Sequence, residues 1–158
     1  MVKKKDLLLL AYLRENARRH LKEISKKTGV PVSTLHDRIR ANAGDCILRN
    51  CCLLDFDALG FNVKAHVLFK IKKEDKDKIS RYLQKSWHVN NLYKINNGFD
   101  FIAEFVFKSI NEMENFFEDL ESKFKIKSKD VHYIIEDVQR EAFLAKPDIV
   151  PMMFPDLQ

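Results

Sequence analysis

The chain has 158 residues, 46% hydrophobic and 32% charged, with a formal net charge of +5. Those values fit one ordinary or two small soluble globular domains and exclude a disordered chain. The longest early apolar run, residues 7–13, is too short to cross a bilayer, and no small-residue cleavage site follows it, so no membrane association and a cytoplasmic location are expected.

The charge is uneven. Residues 1–50 hold 12 Lys and Arg against 5 Asp and Glu, while the remainder holds 16 against 18. A cation excess confined to one module sets up a local potential that draws in polyanions, and nucleic acid is the polyanion expected.

The first elements are helical. Leu7, Leu8, Leu10, Ala11 and Tyr12 give an apolar stripe to a helix over 6–14, which Asn16 and Ala17 end. A second helix runs over 21–28, with Leu21, Ile24 and Ser25 on one side and Lys22, Lys26 and Lys27 on the other, and Gly29 supplies a left-handed stop. After Pro31 a third helix is expected to about Ala41, capped by Ser33 and ended by Asn42 and Gly44. On it Leu35 and Ile39 turn inward, leaving Ser33, Thr34, His36, Asp37, Arg38 and Arg40 toward solvent. Two short helices across a tight turn, within a basic stretch, outline a helix-turn-helix whose third helix reads DNA. Ile47–Leu48 and Cys51–Leu54 are expected to pair as a wing hairpin with Arg49 at its tip.

Beyond Gly60 the period changes. Val63, Ala65, Val67, Phe69 and Ile71 alternate as a strand, and 75–85 is helical with Ile79, Tyr82 and Leu83 on one face. Strands at 92–96 and 101–107 flank a turn at Asn97-Gly98. Ser109 and Glu112 form a capping box ahead of a helix carrying Ile110, Met113, Phe116, Phe117, Leu120 and Phe124, and a last strand is expected at 131–138. The order is a ferredoxin-like β-α-β-β-α-β module, so the fold class is α+β. The third strand is apolar on both faces, Phe101, Ala103, Phe105 and Phe107 against Ile102 and Val106, whereas the helices cover only one. A second copy is expected on the other, making this a dimerisation domain. The divisions expected are 1–54 for the winged helix-turn-helix, 55–60 for a linker, 61–144 for the sheet module and 145–158 for a Pro-rich tail that docks on a neighbour or is loosely ordered.

The site residues follow from chemistry. Arg38 and Arg40 carry the planar fork that fits guanine O6 and N7, and Ser33, Thr34 and His36 can meet bases or phosphates near the helix start. Arg18, Arg19, Lys22, Lys26, Lys27, the lysines at 3–5 and Arg49 are placed as phosphate contacts. Cys46, Cys51 and Cys52 suit neither a disulfide framework nor a zinc pair, and no metal or cofactor is expected. His66, His88 and His132 form no nucleophile-base pair, so catalysis is not expected.

The segments Leu13–Arg18, Ile24–Val30 and Leu53–Gly60, in that order and spacing, resemble the Lrp/AsnC, or feast/famine, family of prokaryotic transcription regulators across residues 6–143. That resemblance implies a third helix in the major groove, sheet modules that pair as dimers and assemble further, and a small metabolite, commonly an amino acid, near the loop Asn96, Asn97, Gly98, Phe99 and Asp100. At this loop Phe99 and Asp100 match the family's pattern, while Asn97-Gly98 stands where the family has Gly-Asp. The alternative is an enzyme like the siroheme decarboxylases, which are built on a related two-part architecture.

Overall fold

The computed structural model describes residues 4–43 and 45–155, so Lys3 and Gly44 lie outside the described residues. These fall into two compact units: residues up to Leu53 together with those from Val138 on, and Leu54–Asp137.

In the first unit α1 (Lys4–Glu15), α2 (Leu21–Thr28) and α3 (Val32–Asn42) surround a small core of Leu9, Tyr12, Ile24, Val30 and Leu35, with Leu13, Leu21 and Ile39 against it. Gly29 adopts φ 66°, a left-handed conformation that costs a glycine little, and its N–H caps Ser25 O at 2.9 Å. The chain thus reverses abruptly between α2 and α3.

The wing hairpin does not form. Residues 48–55 have no regular structure, Leu48 is 83% exposed, and all three cysteines are free and exposed. A two-residue turn needs positive φ, which Arg49-Asn50 supplies poorly, and no facing strand receives the segment among the described residues. What remains is a single bridge between Ala43 and Ile47.

The tail differs as well. A short 3-10 turn (Pro147–Ile149) leads into a one-turn helix at Val150–Met153, and Val150 is fully buried with Leu7 and Ala11 beside Leu8, Leu144 and Phe154. Arg14 of α1 donates to the Phe143 carbonyl at 2.7 Å and pairs with Glu141. The tail completes the apolar cover of α1 within its own chain rather than seeking a neighbour.

The second unit is a four-stranded antiparallel sheet of order β2-β3-β1-β4, with β1 (Val63–Ile71), β2 (Val89–Lys94), β3 (Phe101–Phe107) and β4 (Ile126–Tyr133). Helices α4 (Lys76–Lys85) and α5 (Ile110–Lys123) cover one face, where Phe69, Phe105 and Phe107 meet Ile79, Leu83, Met113, Phe117 and Leu120. Ser109 Oγ accepts from Glu112 N–H at 3.2 Å, and the Glu112 carboxylate reaches back to Lys108 N–H at 2.8 Å. Strands β2 and β4 both begin earlier than expected. Polar Lys127, Ser128, Lys129 and Asp130 belong to β4, whereas Ile135, 98% exposed, lies beyond it. No helix among the described residues is long and apolar enough to cross a membrane.

Candidate nucleic-acid interface

Helix α3 begins at Val32, with Pro31 as its N-cap and no side chain capping it. Ser33 is therefore not the cap; it sits exposed in the first turn. Pro31 O accepts from Leu35 N–H at 3.0 Å, so the N–H groups of Val32, Ser33 and Thr34 precede the first bond of the helix and point outward. Such a helix start carries partial positive charge and oriented donors.

One face of α3 is exposed at Ser33, His36, Asp37 and Arg40, and Thr34 is half-buried at its margin. Leu35 is fully buried and Ile39 joins the same core, which fixes the rotation of the helix. Asn42 locks its end, Nδ2 donating to Arg38 O at 2.7 Å while its carbonyl accepts from Ile47 N–H at 2.9 Å.

Arg38 departs from expectation. Its guanidinium turns back to the Asp6 carboxylate of α1 at 2.9 Å, and the two side chains are only 23% and 15% exposed. Arg38 thus braces α3 against α1. Sequence gave no sign of this, because Arg38 and Arg40 flank Ile39 equally and the deciding partner lies far upstream.

The cations of α2 and its approach divide similarly. Arg18, Lys22 and Lys26 are exposed. Lys27, also exposed, lies 5.5 Å over the Tyr12 ring. Arg19 is half-buried, held by Glu15 at 2.8 Å and 5.3 Å over the Tyr12 ring. Arg49 is exposed in the irregular segment. The side chain of Lys4, like Lys3, lies outside the described residues.

The structure adds His20. It is the N-cap of α2 without a capping side chain, and with Arg19, Lys22, Glu23, Val32 and His36 it lines an open depression of about 700 Å³ where the starts of α2 and α3 converge. Two imidazoles, a lysine and free first-turn N–H groups suit a phosphate oxygen there. The only sequence signal for His20 is its position just ahead of the helix at 21–28.

In the sheet unit, Asn96, Asn97 and Gly98 are exposed at the β2–β3 turn, with φ 62° at Asn97 and 103° at Gly98, and Phe99 is half-buried. Asp100 is buried and committed to the fold. Its carboxylate accepts from Ile71 N–H at 2.8 Å and from Lys76, with Lys70 at 3.9 Å. Burial would raise its pKa, but the Lys76 hydrogen bond, the Ile71 N–H and the two lysine charges outweigh it and hold the group below the ordinary value.

The model for the AsnC-type helix-turn-helix domain matches residues 4–41. The chain is 28% identical over 114 residues to the HTH-type transcriptional regulator FL11 of Pyrococcus furiosus, covering 72% of this chain and 76% of that one. It is 24% identical over 147 residues to the glutamate uptake regulatory protein of Zymomonas mobilis, covering 90% of each. Among solved structures, a transcriptional regulator of Neisseria meningitidis in complex with L-Met superposes with a TM-score of 0.81 at 16% identity, over 89% of this chain and 94% of that one.

Proposed function

We propose that this chain, a member of the Lrp/AsnC family of DNA-binding transcriptional regulators, reads duplex DNA with Ser33, Thr34, His36 and Arg40 while α2 and its approach hold the phosphates. The observation that carries this reading is the exposed polar face and uncapped start of α3 on the unit that contains the cation excess. Arg40 is the guanine-type donor, Asp37 can accept from a cytosine amine, and Arg18, Lys22, Lys26, Lys27 and Arg49 supply sequence-independent contacts. Arg38 and Arg19 act through the head's own structure, and His20 joins the phosphate contacts.

Two copies present two heads to half-sites of a pseudo-palindrome in the cytoplasm. The sheet face opposite α4 and α5 supports such pairing: Leu68 and Ile102 are half-buried, Val106 is buried, and Tyr93 is 58% exposed on it. A small metabolite of the amino-acid class docks at the turn Asn96, Asn97, Gly98 and Phe99, with Asp100 anchoring the turn rather than meeting the ligand. The L-Met complex of the structural neighbour supports the ligand class.

Fluorescence anisotropy with the upstream region of the chain's own gene tests the reading, against a scrambled duplex of the same length. Arg40→Ala is expected to weaken specific binding by about 1–3 kcal/mol and to leave scrambled binding nearly unchanged. Equal losses on both duplexes would overturn base reading by α3.

A further inference from the structure

We propose that the sheet unit binds duplex DNA on a surface of its own, the lysine-rich end of the sheet where β1 finishes and β4 begins. The register gathers that end from three separate segments. Lys94 of β2 pairs with Phe101 at the start of β3, Phe101 pairs in turn with Phe69 of β1, and Lys72 N–H donates to Lys125 O at 3.2 Å where β1 meets β4. The segments 71–78, 94–100 and 123–127 meet there with eight lysines against four acids, while the rest of the unit Leu54–Asp137 holds six cations against eleven acids. Composition averages these into a nearly neutral unit, and the fold separates them.

The cations are available. Lys72, Lys73 and Lys94 are exposed and enter no ion pair among the described residues, and Lys125 is exposed next to Lys72. Two of the four acids are buried and committed to the fold: Asp75 accepts from Lys125 N–H at 3.1 Å and Asp100 from Ile71 N–H at 2.8 Å. A potential concentrated in this way draws in polyanions. Pairing of copies leaves the end free. Lys94 alternates with Tyr93, which lies on the face opposite α4 and α5, and Lys72, Lys73 and Lys125 lie beyond the strand ends.

The dimensions suit a duplex. Lys94 belongs to one edge strand and Lys125 leads into the other, so in the order β2-β3-β1-β4 they lie three strand spacings apart, about 14 Å. Double-stranded DNA carries one charge per about 1.7 Å of axis, so that width faces about eight phosphates. Ammonium groups are point charges without the arginine fork, and they hold phosphates without reading bases. With DNA already held by the proposed reading head, a contact too weak to act alone becomes intramolecular.

A second copy of the chain offers no equal counterpart. Of the acids elsewhere in the unit, Asp57 and Asp137 hold Lys64, Asp119 holds Lys123 and Glu121 holds Lys129. Glu112 closes the start of α5, and Glu104 is engaged by the amides of Asn90 and Asn91. These charges are met within their own unit, whereas the phosphates of a duplex form a continuous anion.

Anisotropy titrations of the full chain on a scrambled duplex at several salt concentrations test this. Combined Lys72→Gln, Lys73→Gln, Lys94→Gln and Lys125→Gln substitution is expected to weaken binding about tenfold or more. It should also flatten the slope of log affinity against log salt by about 3–4, at about 0.9 per phosphate neutralised. Circular dichroism should be unchanged, since all four side chains are exposed. Lys85→Gln with Lys108→Gln, exposed toward the opposite end of the unit, should leave the slope unchanged. In a chain with Ser33, His36 and Arg40 replaced by alanine the lysine effect should persist, so failure of base reading and failure of this surface are told apart. An unchanged slope in the fourfold variant, or equal flattening in the Lys85 and Lys108 variant, would overturn the proposal. So would a loss of DNA binding that accompanies dissociation of the copies in sedimentation, which would make this end a contact between copies.

Discussion

The ion pair between Arg38 and Asp6 gives the sharpest test of how the head is built. Exposed pairs contribute about 0–1 kcal/mol, and breaking a fully buried one costs about 3–5 kcal/mol. With side-chain exposures of 23% and 15% at 2.9 Å, this pair falls between those limits, so Asp6→Ala or Arg38→Ala should each destabilise the first unit by about 1–3 kcal/mol. For a unit of this size that lowers its melting temperature by about 4–24 °C. Urea denaturation of the two single variants and the double variant forms a cycle, and the double should cost little more than either single. Both single variants should also lose DNA affinity to the same extent, because each frees α3 from α1. Additive stability losses, or a DNA defect confined to Arg38→Ala, would refute bracing and return Arg38 to the bases.

Three further outcomes follow from other contacts. Val150→Ala, at a fully buried position against Leu7 and Ala11, should cost about 1–3 kcal/mol in urea denaturation and expose the C-terminal segment to proteolysis; unchanged protection would show that the segment does not cover α1. Lys26→Ala should lower specific and scrambled DNA binding alike and flatten the slope of log affinity against log salt by about 0.9, and an unchanged slope would remove Lys26 from the phosphates. Asp100 has a pKa depressed below the ordinary aspartate value of 3.8, so its contribution to stability is present above that value and is lost as pH falls through the lower folded value. Asp100→Asn should therefore destabilise the sheet unit near neutrality and reduce its acid sensitivity, as acid unfolding followed by far-ultraviolet circular dichroism would reveal; identical acid profiles would contradict the assignment.

The sequence was legible where large apolar residues recur at a fixed period. The stripe through Met113, Phe117 and Leu120 announced α5, and the alternation from Val63 to Ile71 announced β1, because burial on one face imposes those spacings. Gly29 marked the turn for an equally local reason. Strand β4 was harder to place: one face is open and the strand lies at the sheet edge, so Lys127 to Asp130 carry no apolar signal, while Ile135 and Val138 mimic one in exposed chain.

Features decided by distant partners were not legible. Arg38 is drawn inward by Asp6, Asp100 by Lys76 and Ile71 N–H, and Val150 by α1, each from far along the chain. The short apolar runs Ile47–Leu48 and Cys51–Leu54 on either side of Arg49-Asn50 looked like a hairpin, but a hairpin also needs a turn that reverses and a partner to receive it. Within the candidate interface, Ser33, His36 and Arg40 keep the exposure that helical spacing assigned them, and Arg38 and Arg19 exchange solvent for partners.

The most direct measurement is a hydroxyl-radical footprint of the full chain on the upstream region of its own gene at low salt. Protection of two short segments on one side of the duplex, separated by one helical turn or a multiple of it and abolished by combined alanine substitution of Ser33, His36 and Arg40, is expected of paired heads that read DNA through α3. Uniform protection along the duplex, or none at any protein concentration, would contradict it.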